Sequence, residues 1–131
     1  MMKVLFVEDD ALNRRVVKSM LSVVGADMEE AADAETGLRM IDERIYDIVL
    51  MDIRMPGMDG LTATRHLRQK PGVRGAVPVI VITADARGDL REMCLEAGAD
   101  DVILKPVAMG SLLQAMGRIA ARSAGASLLL D

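Results

Sequence analysis

Four short apolar runs in this chain each end in a residue that can carry charge or make a hydrogen bond. Val4-Leu5-Phe6-Val7 runs into Glu8 and Asp9, Ile48-Val49-Leu50-Met51 into Asp52, Val79-Ile80-Val81-Ile82 into Thr83, and Val102-Ile103-Leu104 into Lys105. Three carboxylates brought to one place repel one another, and a raised pKa or a bound cation relieves that repulsion. Carboxylates with a backbone carbonyl and waters suit a hard cation. Magnesium, which takes one or two carboxylates plus a phosphate, fits best. Beside a cation Asp52 stays ionised and can act as a nucleophile, and aspartyl phosphate is an established product of such a carboxylate. Lys105 supplies a point charge for the phosphoryl oxygens, and the Thr83 hydroxyl and Ala84 amide supply hydrogen bonds. There is no evident base for an attacking substrate hydroxyl and no Gly-rich loop to cradle a nucleotide.

These residues need a sheet to position them. Continuous apolar runs are the pattern of strands buried on both faces, as in a parallel sheet. Pro56, Gly57 and Gly60 punctuate the end of the central run, Asp47 to Asp52. Asp52 therefore belongs at the carboxyl end of a central strand, where open α/β sheets bind ligands. The other strands are Lys3 to Val7, a polar edge strand at Asp27 to Ala31, Pro78 to Thr83, and Asp101 to Leu104. Helical periodicity covers Asn13 to Val24, with Val16, Val17, Met20, Leu21 and Val24 on the apolar face, and Ala34 to Glu43 behind an Ala32-Asp33 cap region. It returns at Gly60 to Gln69 behind Asp59, at Asp89 to Ala97, and at Met109 to about Arg122. Lys70 to Val77, with Pro71, Gly72 and Gly75, reads as a loop. Strict alternation of five strands with five helices predicts a doubly wound α/β fold with a five-stranded parallel sheet. One domain over 1–122 and a tail over 123–131 are expected.

The bulk numbers narrow the function classes. A chain of 131 residues, 51% hydrophobic and 27% charged, is globular. A net charge of −4 offers no electrostatic footprint for nucleic acid or an anionic membrane. The single cysteine, Cys94, excludes a disulfide framework and points to a reducing, cytoplasmic compartment. The sequence enters a strand at Lys3 with no signal-peptide pattern, and no apolar run reaches the roughly 20 residues of a membrane helix. The near absence of aromatics argues against stacking on bases or sugars. The eleven methionines are read mainly as core filling.

In order and spacing, Val-Glu-Asp-Asp at 7–10, Met-Asp-Ile-Arg-Met-Pro-Gly-Met-Asp-Gly at 51–60, Ile-Thr-Ala at 82–84 and Leu-Lys-Pro at 104–106 resemble the receiver domains of bacterial two-component response regulators. The resemblance covers about residues 3 to 122. It implies the flavodoxin-like strand order 2-1-3-4-5. It implies that Asp52 accepts a phosphoryl group from a phosphohistidine on a sensor histidine kinase or a histidine phosphotransfer protein. Asp9 would ligate Mg2+ directly, Glu8 through water, and the Arg54 backbone carbonyl would complete the protein ligands. Lys105 would contact the phosphoryl group, and Thr83 would move toward it. The added charge would bias a protein-interaction surface on the fourth helix, fifth strand and fifth helix, which a downstream protein reads. A monomer and a weak homodimer through that surface are both compatible with the sequence. A cis bond before Pro106 is also implied.

Val102 departs from the family pattern, because many receivers carry an aromatic there that swings inward on activation. Valine is stiff at χ1 and cannot act as a ring switch. Activation would then rest on backbone shifts near Thr83 and Ala86. Arg54 and Asp85, each two positions past a site residue, lie where the family tunes the lifetime of the phosphorylated state. Their opposite charges suggest a pair across the mouth of the site.

Other readings are set against this one. The chain is expected to be a signalling phosphoacceptor and not an enzyme. An aspartyl-nucleophile phosphohydrolase of the haloacid dehalogenase type needs a second aspartate two residues after the nucleophile, and Arg54 stands there. A module that binds its partners constitutively and a receiver cut from a larger regulator remain as alternatives to a stand-alone receiver. Asp10 is read as a solvated neighbour or a cap of the first helix, Asp59 as a helix cap, His66 as a surface or boundary residue and Cys94 as core.

Overall fold

The computed structural model describes the backbone of residues 1–130 and the side chains of residues 1–122. Five strands, β1 (Lys3–Val7), β2 (Asp27–Ala31), β3 (Ile48–Asp52), β4 (Val79–Thr83) and β5 (Asp101–Leu104), form one parallel sheet in the order β2-β1-β3-β4-β5. The helices are α1 (Ala11–Val23), α2 (Ala34–Glu43), α3 (Gly60–Arg68), α4 (Gly72–Gly75), α5 (Leu90–Ala97) and α6 (Met109–Leu130). This is the doubly wound, flavodoxin-like fold expected from the sequence.

The pleat of each strand sends alternate side chains to opposite faces. Leu5 and Val7, Val49 and Met51, and Val79 and Val81 face one core, which also holds Ile41 of α2, Leu61 and Leu67 of α3 and Cys94 of α5. Val4 and Phe6, Ile48 and Leu50, and Ile80 and Ile82 face the other, with Val17 and Leu21 of α1 and Leu112, Met116 and Ile119 of α6. Full burial of each such side chain stabilises the fold by about 1.5–3 kcal/mol. β2, at the edge, keeps Glu30 exposed and buries only Met28 and Ala31. No helix among the described residues is long and apolar enough to cross a membrane.

Caps set where the helices begin. Asp10 accepts from the Leu12 and Asn13 amides, Asp33 from Thr36 and Asp59 from Thr62, each satisfying N–H groups left free in a first helical turn. Gly98 ends α5 at φ 110°, a left-handed conformation that side chains rarely adopt.

Four local expectations differ from the structure. α1 starts at Ala11 because Asp10 caps it, and it buries only Val17 and Leu21 fully. Val16 and Val24 are exposed: Val16 flanks the buried line, and Val24 is the C-cap, past the last helical residue. The 70–77 loop contains a helical turn, α4. Side-chain contacts hold it: Arg68 Nη1, from the end of α3, donates to the Gly75 and Val77 carbonyls at 3.0 and 2.6 Å, and Arg74 Nε, within the turn, to the distant Ile41 carbonyl at 2.9 Å. The backbone of α6 continues past Arg122 to Leu130, and the side chains of the expected 123–131 tail lie outside the described residues. Of the methionines, Met28, Met51, Met55 and Met116 are buried, and most others pack at the edges of the cores.

Candidate phosphoacceptor and metal site

Strand parity explains how the site assembles. Val4, Phe6 and Glu8 share one face of the chain, as do Ile48, Leu50 and Asp52, and Ile103 and Lys105. All three apolar sets point into the same core. Glu8, Asp52 and Lys105 are thus each the next position in line with that core, at the carboxyl edge, whereas Thr83 follows Val79 and Val81, which face the other core. In the register Asp52 lies beside Ile82, and Thr83 beside Leu104.

Glu8, Asp9, Asp52, Arg54, Thr83, Ala84 and Lys105 line one open cavity of about 210 Å3, together with Asp10 and Asn13. Lys105 Nζ lies 2.7 Å from Glu8 Oε1 and 3.4 Å from Asp52 Oδ1. Glu8 is fully buried and Asp52 nearly so, while Asp9 is exposed. Thr83 is buried, with its Oγ1 accepting from the Asp85 amide at 3.1 Å and its carbonyl accepting from the Lys105 amide at 2.7 Å. The Lys105–Pro106 bond is cis.

The electrostatics follow from crowding two acids out of water. Burial first, and then the neighbouring Glu8 carboxyl, pushes Asp52 up to about 7. Burial also acts to raise Glu8, but hydrogen bonding with Asp52 and Lys105 and the Lys105 charge outweigh it and hold Glu8 below its ordinary value. Burial tends to strip the Lys105 ammonium of its proton, and its contacts with Glu8 and Asp52 more than offset that.

These residues fit a hard cation. Glu8, Asp9 and Asp52 each place a carboxylate oxygen within 4.8 Å of the others. Glu8 Oε2 is buried with no hydrogen-bond partner, a free acceptor in the acid cluster. Oxygen-only donors of this charge suit magnesium.

One supporting residue was not legible as such. Asn13, which the periodicity marks only as a helix start, donates from Nδ2 to Glu8 Oε1 at 3.0 Å. Its neighbour Arg14 donates to the Glu8 carbonyl at 2.7 Å and pairs with Glu30. The available signal was position: both lie in the first turn of a helix that begins directly after the acids. Asp85 and Val102 are not in the acidic cavity and line an adjoining depression instead. Arg54 does reach Asp85, Nη2 to Oδ2 at 3.4 Å, and Arg87 holds the same carboxylate at 2.8 Å. His66 is exposed and Cys94 is buried.

Residues 4–117 match the family model of the response regulator receiver domain. The chain belongs to this family. As a receiver domain it is 35% identical over 121 residues to the sensor histidine kinase RcsC of Salmonella typhi, and 41% identical over 106 residues to the response regulator PleD of Caulobacter vibrioides. Those alignments cover 92% and 80% of this chain but only 12% and 23% of the relatives, so the receiver domain spans a small part of their length. Among solved structures, it resembles the receiver domain of a sensor histidine kinase from Pseudomonas aeruginosa PAO1, described with a magnesium ion coordinated in its active-site cleft. The TM-score is 0.82 at 36% identity, covering 91% of this chain and 98% of that one. It also resembles a Francisella response regulator receiver domain, with a TM-score of 0.86 at 27% identity over 94% of this chain and 99% of that one.

Proposed function

We propose that this receiver accepts a phosphoryl group on Asp52 from a phosphohistidine of a sensor histidine kinase or histidine phosphotransfer protein, with Mg2+ held by Glu8, Asp9, Asp52 and the Arg54 carbonyl. The observation that carries the reading is the approach of Lys105 to both Glu8 and Asp52 beside an acid trio of cation-binding size. An Asp52 oxygen attacks phosphorus, the phosphorus–nitrogen bond breaks, and the electron pair returns to the imidazole. The Lys105 ammonium faces the phosphoryl oxygens, and the Thr83 hydroxyl and Ala84 amide donate to them. A bound magnesium ion would add charge neutralisation at those oxygens. The phosphoryl group stays on the protein, so the chain acts as a phosphoacceptor and not as an enzyme with turnover on an outside substrate. The added charge, about −1.5 to −2, biases the face made by α5, β5 and α6, which a downstream protein reads.

Intact-protein mass after incubation with Mg2+ and a small-molecule phosphodonor tests this. One added phosphoryl group is expected, absent in Asp52→Ala and absent without Mg2+. An unmodified wild-type chain, including after incubation with a histidine-phosphorylated donor protein, would overturn the reading in favour of constitutive binding.

A further inference from the structure

Glu8 is fully buried, so both oxygens of its carboxylate depend on the protein or on a bound ion for their partners. The donors are shared unequally between them. Oε1 accepts from Lys105 Nζ at 2.7 Å and from Asn13 Nδ2 at 3.0 Å. Oε2 has no hydrogen-bond partner among the described residues. An ionised carboxylate offers about two lone-pair sites on each oxygen. Oε1 is therefore saturated, and the capacity left on Glu8 lies on Oε2, in the acid cluster.

Asn13 owes its reach to the way α1 begins. Asp10 caps the helix, which makes Asn13 its third residue, and the Asp10 carboxylate accepts from the Asn13 backbone amide at 3.4 Å. A Glu or Gln at this helical position commonly folds back on the amide of the cap. The shorter Asn13 side chain reaches Glu8 instead. The next residue, Arg14, donates from Nη1 to the Glu8 carbonyl at 2.7 Å and from Nε to Glu30 of β2 at 3.2 Å. Two consecutive residues of α1 thus fix Glu8 at both ends, one by its side chain and one by its backbone. The two donors on Oε1 differ in charge. Asn13 is neutral, so it holds the carboxylate without cancelling the negative charge on which the affinity of a cation site depends.

We propose that Asn13 is a positioning residue for the cation site: by occupying Oε1 it keeps Oε2 of Glu8 free for Mg2+ and its waters, and it goes on doing so when Lys105 turns to the phosphoryl group. An ammonium drawn to phosphoryl oxygens loosens its hold on Glu8, and Asn13 is then the donor that keeps the buried carboxylate in place. The inference rests on the reading of the acid trio as a magnesium site, and its test needs no phosphodonor.

The test is the Mg2+ dissociation constant of the full, unphosphorylated chain, read from amide shifts of the 15N-labelled protein, for wild type, Asn13→Leu, Lys105→Met and the double variant. Leucine keeps the branched shape of asparagine and has no donor. In Asn13→Leu, where Lys105 still holds Oε1, affinity should fall about tenfold, the lower end of what loss of a hydrogen bond to a metal ligand costs. In the Lys105→Met background the same substitution should cost about 100-fold, because Glu8 then keeps neither donor. A merely structural role would give the same factor in both backgrounds, since independent effects add. Should the double variant fail to fold, Asn13→Gln decides: it keeps an amide donor and should bind Mg2+ more tightly than Asn13→Leu. Equal affinity of Asn13→Leu and wild type, the same loss in both backgrounds, or Asn13→Gln binding no more tightly than Asn13→Leu would each overturn the proposal and leave the magnesium site standing. No saturable Mg2+ binding by the wild type would overturn both together.

Discussion

Lys105 Nζ lies 2.7 Å from Glu8 Oε1, a contact between residues 97 positions apart in the chain. It joins the end of β5 to the end of β1 across the two strands between them, with Asp52 of β3 also within 3.4 Å. One ammonium thereby serves two buried carboxyls, and among the described residues it is the one cation paired with Glu8 and Asp52.

Removing that cation should leave Asp52 with no opposite charge to favour ionisation. In Lys105→Met the pKa of Asp52 should rise above about 7 by a further 1–3 units, roughly the effect of an opposite charge at this range. A 13C NMR titration of the Asp52 carboxyl checks this, and an unchanged or lower value would contradict the electrostatic account of the site.

The same group sets a pH dependence. Asp52 is raised from 3.8 to about 7, so between those values the metal-free fold holds a proton that the unfolded chain has released. Its contribution to stability is therefore present at low pH and lost as pH rises through that window. Glu8 has the opposite sign: it is held below 4.5, so its contribution exists above that value and fades at more acid pH. Magnesium must displace the Asp52 proton, so its apparent affinity should climb as pH approaches about 7 and level off above it. Thermal shifts on adding Mg2+ should be larger at about pH 8 than at about pH 5. Equal shifts would sink this prediction.

Arg54 bridges to Asp85 at the mouth of the cavity, at 3.4 Å and with most of its side chain in solvent. Such a pair adds little stability, about 0–1 kcal/mol. Its expected role is to restrict the water that hydrolyses the aspartyl phosphate. Arg54→Ala should shorten the half-life of phosphorylated Asp52 while leaving the melting temperature almost unchanged. A half-life equal to or longer than that of the wild type, measured by loss of the phosphoryl mass, would rule the role out.

Gly60 opens α3 directly against the phosphoacceptor strand, its amide donating to the Ile53 carbonyl at 2.8 Å. A Cβ at this position would overlap the Asp52 carbonyl oxygen. Gly60→Ala should therefore destabilise the fold by about 1–3 kcal/mol or more, as overpacking does. It should also reduce phosphorylation, because relief requires the backbone of Asp52 to shift. Urea denaturation and phosphoryl uptake measure the two effects. A variant as stable as wild type would show that the α3 start yields without cost.

The sequence by itself determined the strands, the carboxyl-edge placement of Glu8, Asp52, Thr83 and Lys105, and the Asp59 cap. Those features are local. Apolar runs, side-chain alternation and a capping residue two or three positions before the amides it binds are all readable within a few residues. Tertiary structure decided what depended on distant partners. Arg74, through the Ile41 carbonyl of α2, helps hold a helical turn in a segment whose Pro and Gly content signals a loop. Asn13 became a support of Glu8 because capping by Asp10 begins α1 two residues earlier than the periodicity suggests. The sunken Asp101, gripped by arginines from α5 and α6, required β5 to lie between those two helices. The consequence of Val102 also waited for the fold. The sequence shows that Val102 lacks the aromatic of the family pattern, and only the fold shows that it lines an open depression with Leu90 and Leu104.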